Sequence, residues 1–321
     1  MTVIITDCDH GNIDEEMKVF DAVGIPLRLE QCKTEDDLIG RCADGEWLVN
    51  QYTPVTRRVM TALPNLKFVV RYGVGVDNID VAAATELGIQ VCNVPDYGMN
   101  EVADHALTFF LALNRKLVPM NEQTKKKKWD HRTAIPVRRM SETTVGLYGL
   151  GRIGKNFAAK AHALGCRIIG YDVNGGVFAD PAIAFVEKVG FDELLAHADT
   201  VLIFAPLETT RGAFDKAVLA KMKPSAYLIN TSRGGIVNET DLDQALKNGV
   251  IAGAAFDVMA KEPADPANPL FQNENFICTP HMAWYSEESA LELKRKAAEE
   301  AVSYALHRTC RYPVNQPTAR R

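Results

Sequence analysis

The stretch TTVGLYGLGRIG, residues 143–154, decides the fold of this chain. An apolar run that predicts a β-strand leads into the glycine pattern G-x-G-x-x-G, and a helical segment follows. Gly149 permits a tight turn, Gly151 lets the backbone approach a pyrophosphate, and Gly154 allows close packing of the helix. The N-terminus of that helix favours the phosphate charge. The stretch therefore predicts a dinucleotide site in a parallel α/β sheet, the alternative being a merely structural glycine turn.

An acidic residue at the end of the next strand indicates which dinucleotide binds. Asp172 closes CRIIGYD (166–172), 18 residues beyond Gly154, where a carboxylate can accept hydrogen bonds from a ribose hydroxyl pair. A carboxylate at this position repels a 2′-phosphate. We therefore expect NAD as the cofactor rather than NADP.

Two series of strand-like runs predict two domains of the same class. Between Thr143 and Pro280, helical segments separate most of six runs: VGLYG, CRIIGYD, TVLIFA, AYLIN, IAGAAFDV and FICTP. The first hundred residues show a shorter alternation of VIIT, WLVN, KFVV and IQVC with amphipathic stretches. The predicted fold class is α/β, with two Rossmann-like domains built on doubly wound parallel sheets.

The helices between these series suggest the domain boundaries. The run from about Asn100 to Leu117 keeps apolar residues at helical spacing and predicts a buried crossing helix. Ser286 can cap a final helix, which we expect to pack back on the first domain. The first domain is then discontinuous, with a hinge near residues 99 and 286.

This arrangement assigns residues 1–99 plus 287–321 to a flavodoxin-like substrate domain and residues 100–286 to an NAD-binding Rossmann domain. The stretch 117–140 is rich in Lys and Arg and has no clean period. It predicts a projecting arm that meets a partner subunit, and hence a homodimer.

Composition excludes several classes of protein. The formal net charge is −5, and the strongest basic run, Lys125–Lys128, stands alone, so a nucleic-acid surface is not expected. No apolar stretch approaches the roughly 20 residues that span a bilayer, and no membrane association is expected. The 7 cysteines are scattered without C-x-x-C spacing, which predicts neither a metal site nor a disulfide framework. A reducing, cytoplasmic location is the simplest interpretation.

Three residues of complementary chemistry follow predicted strands of the second series. They are Arg233 in NTSRGG (230–235), Glu262 in DVMAKEP (257–263) and His281 in TPHMAWYS (279–286). Since ligands of open parallel sheets bind outside the carboxyl ends of the strands, the three can converge. An arginine grips a carboxylate, a histidine moves a proton, and a glutamate holds the histidine. Beside a hydride carrier, the set suggests oxidation of a 2-hydroxy acid or its reverse.

These motifs resemble those of the D-isomer-specific 2-hydroxyacid dehydrogenase family over almost the whole chain. The matching stretches are RYGVGVDNID, NVPDYGMNEVADHAL, VGLYGLGRIG, NTSRGGIVNETDLDQAL, AGAAFDV and TPHMAWYS. The spacings of 29 residues from Arg233 to Glu262 and 19 from there to His281 also resemble the family pattern. Glutamine replaces the acid in members that use formate, so Glu262 disfavours formate oxidation.

The resemblance implies a role for each site residue. Arg233 would bind the carboxylate and carbonyl of the substrate, His281 would protonate the carbonyl oxygen, and Glu262 would hold His281 in its tautomer. Val74 and Gly75, in the turn at 73–76, would touch substrate, and Val74 also cofactor. The remaining residues implied to bind cofactor are Gly149, Gly151, Arg152, Ile153, Gly154, Asp172, Pro206, Thr231 and Asp257, the last at the nicotinamide carboxamide.

The substrate and even the class of function have alternatives. Trp284 would line the substrate pocket, and together with NVP (93–95) it resembles the branch of C-terminal-binding corepressors, which bind NAD(H) and partner proteins. Phosphoglycerate dehydrogenases of the family tend to carry an arginine in the stretch where this chain has Asn50 and Gln51. We therefore expect a reductase of small 2-oxo acids without a phosphate, with a corepressor-like sensor or a phosphoglycerate dehydrogenase as alternatives.

Overall fold

The computed structural model describes residues 2–317 and divides into two compact units. The first unit contains the residues up to Gly98 and those from Ser286 onward, and the second is Met99–Tyr285. Met1 and residues 318–321, which the sequence assigns to the first domain, lie outside the described residues.

The first unit contains a sheet of five parallel strands in the order β2-β1-β3-β4-β5. This is the flavodoxin-like order. β1, β3 and β5 are buried throughout, as expected for strands covered on both faces. The strands are β1 (Val3–Ile5), β2 (Leu27–Leu29), β3 (Trp47–Asn50), β4 (Phe68–Arg71) and β5 (Gln90–Cys92).

The second unit contains a sheet of seven parallel strands in the order β12-β11-β10-β9-β6-β7-β8. Its first three strands run outward from the centre and the later ones run outward on the other side, which is the dinucleotide-binding order. The strands are β6 (Thr144–Tyr148), β7 (Arg167–Tyr171), β8 (Glu187–Lys188), β9 (Thr200–Ile203), β10 (Tyr227–Asn230), β11 (Gly253–Phe256) and β12 (Phe276–Cys278). The predicted fold class, α/β with two parallel sheets, is confirmed.

Helices connect these strands. Those of the described chain are α1 (Asp14–Asp21), α2 (Glu35–Arg41), α3 (Arg57–Ala62), α4 (Val81–Glu86), α5 (Met99–Asn114), α6 (Leu117–Lys125), α7 (Arg152–Ala163), α8 (Phe191–His197), α9 (Leu207–Thr210), α10 (Lys216–Leu219), α11 (Glu239–Lys247) and α12 (Glu287–His307). Across residues 2–317, no helix combines the length and the apolarity needed to cross a membrane.

The final helix completes the core of the first unit. The hydroxyl of Ser286 accepts from the Ser289 backbone N–H at 2.9 Å, and Ser289 reciprocates, so the predicted cap of α12 is confirmed. α12 packs on α1, β3 and β4. The ring of Tyr304 stacks on Phe68 at a centroid distance of 4.5 Å. The last described residues therefore belong to the same core as the first strands.

The predicted arm contains a helix. Lys116 adopts a left-handed conformation with φ +52°, which ends α5 and allows α6 to begin in a new direction. Beyond α6 the stretch is irregular apart from short 3₁₀ turns at His131–Ala134 and Met140–Glu142. Trp129 is 90% exposed and Ile135 68% exposed, so large apolar side chains face outward here.

One cysteine pair departs from the sequence prediction. Cys92 at the end of β5 and Cys310 beyond α12 form a disulfide, although the cysteine spacing predicted no disulfide framework. The two lie 218 residues apart, and only the return of the chain after α12 brings them together. There Val314 donates its N–H to the carbonyl of Val91 at 2.9 Å. The carboxylate of Glu300 lies beside both sulfur atoms, within 4.8 Å.

Candidate active site

The glycine-rich turn joins β6 to α7 in the second unit. Gly149 has φ +101°, and a Cβ there would lie 2.7 Å from the carbonyl oxygen of Phe204, so both conformation and space require glycine. Gly154 packs directly against the carbonyl of Gly149. A Cβ at Gly151, the N-cap of α7, would meet no atom within 4 Å, so the start of the helix borders open space. The turn thus presents the first N–H groups of α7, next to Arg152 and Ile153, to a ligand.

Asp172 lies beside this turn. Its Oδ2 accepts from the backbone N–H of Leu150 at 2.8 Å, and its Oδ1 accepts from that of Asn174 at 2.8 Å. These bonds fix the carboxylate next to the glycines. Its position is the one that the sequence assigned to a ribose-binding acid.

Thr231 supplies an unsatisfied polar atom beyond β10. It is 8% exposed, and within residues 2–317 its Oγ1 has no hydrogen-bond partner. A buried hydroxyl without a partner is costly, and a bound polar ligand relieves that cost. Pro206, which follows β9, is exposed and precedes α9. The glycine turn and the Thr231 hydroxyl together fit NAD.

His281 and Glu262 form a short hydrogen bond. His281 Nδ1 lies 2.6 Å from Glu262 Oε2, while Glu262 Oε1 accepts from the Met259 N–H at 2.9 Å. Burial raises the pKa of Glu262, but the bond and charge of His281, the Met259 N–H and the charge of Arg233 outweigh it and lower that pKa. An ionised carboxylate only accepts, so Nδ1 is the donor. The other ring nitrogen, Nε2, remains for a reacting proton.

Arg233 is brought toward this pair by a close backbone contact. It follows β10, and its carbonyl accepts from Asn230 Nδ2 at 2.8 Å. At the next residue, Gly234, a Cβ would collide with the backbone of Met259, so the segments after β10 and β11 lie against each other. The guanidinium is close enough to contribute to the lowered pKa of Glu262. The three residues that the sequence predicted to converge therefore do so within the second unit.

Asp257 holds the segment that carries His281. Its carboxylate, 2% exposed, accepts from Thr279 Oγ1 at 2.5 Å and from the N–H groups of Met282 and Ala283, both at 2.9 Å. Its carbonyl accepts from the N–H of His281 at 2.8 Å. The sequence assigned Asp257 only a nicotinamide contact and did not indicate this second task.

Two polar residues near the site were missed. Thr279 Oγ1 lies 2.9 Å from Nε2 of His105, which is on α5. His105 and Thr279 stand inside motifs that the sequence singled out, but side-chain pairing over 174 residues leaves no periodic signal.

The remaining predicted residues lie in different surroundings. Trp284 is half-buried and makes an edge contact with Tyr285 at 5.5 Å. Val74 and Gly75 belong to the first unit, in the turn after β4, where Val74 is 45% exposed and its carbonyl accepts from Asn93 Nδ2 at 2.6 Å.

A cavity of about 280 Å³ opens in the first unit at the carboxyl ends of β1, β2 and β3. Residues 7–9, 31–33 and 51–53 line it. Gln51 is 2% exposed, and Asn50, which is fully buried, donates to Thr6 Oγ1 at 2.9 Å. The two positions that lack an arginine are thus occupied by buried amides. Lys33 is the basic residue among the lining ones.

Comparison with known proteins identifies the family. Residues 107–283 match the model of the D-isomer specific 2-hydroxyacid dehydrogenase, NAD binding domain. The chain belongs to this family. Its second unit is the NAD-binding domain, and the expected cofactor, NAD, is confirmed as that of the family.

Two relatives illustrate the range of family members. The chain is 35% identical to a D-3-phosphoglycerate dehydrogenase of Archaeoglobus fulgidus over 92% of its own length and 56% of that protein. It is 32% identical to a glycerate dehydrogenase of Methylorubrum extorquens over 90% of its own length and 92% of that protein. The chain therefore spans little more than half of the first relative and nearly all of the second.

A solved D-lactate dehydrogenase of Aquifex aeolicus, complexed with NAD and lactic acid, has the same fold. It superimposes with a TM-score of 0.89 at 23% identity, covering 98% of this chain and all of that one.

Proposed function

We propose that this family member is an NAD-dependent D-2-hydroxyacid dehydrogenase that acts as a reductase of small 2-oxo acids. The observation that carries the proposal is the 2.6 Å bond between His281 Nδ1 and Glu262 Oε2, with Arg233 beside it. A proton donor held by an ionised acid next to a fixed cation matches the needs of a 2-oxo acid, which presents a carbonyl and a carboxylate.

Each of the three residues has one task. The Arg233 guanidinium binds the substrate carboxylate and polarises the neighbouring carbonyl. His281 donates a proton from Nε2 to the carbonyl oxygen as that oxygen gains charge. Glu262 keeps Nδ1 protonated and stabilises the imidazolium before the transfer. NADH, when bound, supplies the hydride that reaches the carbonyl carbon.

The cofactor would be held by the second unit. Gly149, Gly151, Gly154 and the first residues of α7 would cradle the pyrophosphate, and Thr231 and Pro206 would flank the nicotinamide and adenosine sides. Asp172 would bind the ribose hydroxyls and select NAD over NADP. Asp257 would accept a hydrogen bond from the nicotinamide carboxamide. Its carboxylate oxygens would do so in addition to the bonds that they accept from residues 279–283.

We assign substrate binding to the first unit as well. Its turn at 73–76, with Val74 and Gly75, would offer backbone N–H groups to the substrate carboxylate, and the hinge would lie near residues 99 and 286. Trp284 would form an apolar wall of the pocket. Because the buried side chains of Asn50 and Gln51 are uncharged amides, we expect a 2-oxo acid substrate with an uncharged side chain, such as pyruvate or hydroxypyruvate.

Phosphoglycerate dehydrogenase is the second candidate, because relatives at 34–38% identity carry that name. Steady-state kinetics with hydroxypyruvate and phosphohydroxypyruvate separate the two. Asn50 and Gln51 offer a phosphate no cation, and desolvating a phosphate without a paired cation costs several kcal/mol, so we expect kcat/KM for the phosphorylated acid to be lower by orders of magnitude. A preference for phosphohydroxypyruvate would transfer the assignment to the second candidate.

We also propose a homodimer. The exposed Trp129, Ile135 and Leu117 of the 117–140 arm offer an apolar surface that a second copy would cover. Sedimentation of the parent and of Trp129→Ser tests this, since loss of that surface should shift the population toward monomer.

A further inference from the structure

A chain of hydrogen bonds reaches the acid/base loop from α5. Thr279 Oγ1 lies 2.5 Å from Asp257 Oδ1 and 2.9 Å from His105 Nε2. Since the carboxylate only accepts, the Thr279 hydroxyl donates to it, and His105 Nε2 must then donate to the hydroxyl. The polarity of the whole chain is thereby fixed, running from His105 through Thr279 to Asp257.

His105 is held in the protonation state that this series of hydrogen bonds requires. Burial lowers the pKa of His105, against the opposing charge of Asp257, so the ring is neutral at neutral pH and carries one N–H. Its ring packs edge-on against Phe109 of the same helix at 4.6 Å. A half-buried, neutral and packed imidazole makes one directed bond rather than a diffuse ion pair.

This series of hydrogen bonds ends at the backbone around His281. His281 has φ +53°, a left-handed conformation that a residue with a side chain adopts only when its surroundings hold it. The N–H groups of the two following residues, Met282 and Ala283, both donate to the Asp257 carboxylate. The orientation of that carboxylate therefore decides whether the loop keeps the His281 ring facing Glu262.

We propose that His105 is a positioning residue for His281, acting through Thr279 and Asp257. This inference rests on the proposed function, in which His281 is the acid/base group. Within residues 2–317, His105 makes no hydrogen bond to the proposed triad of Arg233, Glu262 and His281. Its contribution is to orient the Asp257 carboxylate, and through it the loop that aims the imidazole.

Four variants test the proposal. His105→Phe keeps an aromatic ring against Phe109 but removes the N–H donor, while His105→Gln restores a donor. Thr279→Val removes the hydroxyl at nearly constant volume. His197→Ala, at the exposed end of α8, is the matched control.

We expect His105→Phe and Thr279→Val each to lower kcat for a 2-oxo acid roughly tenfold, since small misplacements of a reacting group cost rate steeply. KM for NADH should change little, and His105→Gln should recover most of the rate. The double variant should be no worse than the poorer single one, because both changes break the same chain of bonds. A merely structural role would lower the melting temperature without this pattern in kcat.

Hydrogen–deuterium exchange of the cofactor-free protein gives a readout independent of activity. The amides of Met282 and Ala283 should exchange faster in His105→Phe and Thr279→Val than in the parent and in His197→Ala. Unchanged kcat in His105→Phe, or a lower kcat with unchanged exchange at these amides, would overturn the inference and leave the triad assignment intact. Failure of the parent to reduce any 2-oxo acid would instead overturn the proposed function.

Discussion

Replacing Glu262 by glutamine changes which partner faces the acid/base histidine. One oxygen of Glu262 accepts from the Met259 N–H and the other from His281 Nδ1. Glutamine has only one oxygen, and the Met259 N–H is a fixed donor that requires it. The amide NH₂ then faces Nδ1, which must become an acceptor. The protonated imidazole, which needs an acceptor at Nδ1, loses its support.

The size of the effect follows from this bond. A hydrogen bond to a charged group contributes about 1.5–3 kcal/mol. The side chains of His281 and Glu262 are 42% and 36% exposed, so solvent screening places the pair at the lower end. About 1.4 kcal/mol corresponds to a factor of ten. Since reduction needs the protonated imidazole, kcat/KM on the alkaline side of the profile should fall about tenfold.

The assay is the pH profile of 2-oxo acid reduction at saturating NADH, for the parent and Glu262→Gln. Glu274→Gln, which removes an exposed acid elsewhere in the same unit, is the control and should overlay the parent. Because the bond to His281 and the nearby charges lower the pKa of Glu262, the parent carboxylate stays ionised to a lower pH than a free glutamate, and the pair persists as the solution becomes weakly acidic. Superimposable profiles for Glu262→Gln and the parent would refute this account of the pair.

Three further substitutions probe the rest of the site. Arg233→Ala should lower kcat/KM for a 2-oxo acid about 30- to 900-fold, which corresponds to roughly 2–4 kcal/mol of lost transition-state binding. The dissociation constant of NADH in fluorescence titration should not change. Loss of NADH binding with surviving 2-oxo acid kinetics would contradict the assignment. Asp172→Ala should raise kcat/KM for NADPH relative to that for NADH, because the ribose contact is weakened and a charge that repels the 2′-phosphate is removed. A parent enzyme that uses both cofactors equally would contradict the role of Asp172. Thr231→Val should weaken NADH binding by about 1 kcal/mol without lowering the melting temperature, because the protein gives its hydroxyl no partner; calorimetry and thermal denaturation check both halves.

The sequence predicted the long elements well because their patterns are strong. The six apolar runs of the second unit and the crossing helix α5 have the lengths and periods that hydrophobic burial imposes. β2 (Leu27–Leu29) and β8 (Glu187–Lys188) were not predicted. They are three and two residues long and lie at the edges of their sheets, so pairing with a neighbour rather than composition defines them.

At the site, the sequence predicted residue types at strand ends but not their side-chain network. Arg233, Glu262 and His281 could be grouped because parallel strands place their carboxyl ends on one edge. The bonds of Asp257 and Thr279, and the pairing of Cys92 with Cys310, depend on tertiary geometry that no local pattern encodes. The orphaned hydroxyl of Thr231 is likewise visible only once its surroundings are placed.

The insertion of the second unit within the first has a consequence for synthesis on the ribosome. All residues of the second unit have been translated once Tyr285 is added, whereas the first unit still lacks α12 and the edge segment that pairs with β5. Until then, the surfaces of β3 and β4 that α12 covers remain open. The nascent chain can therefore complete its NAD-binding domain while the first unit is unfinished, and β3 and β4 depend on α12, which is translated later, for their core.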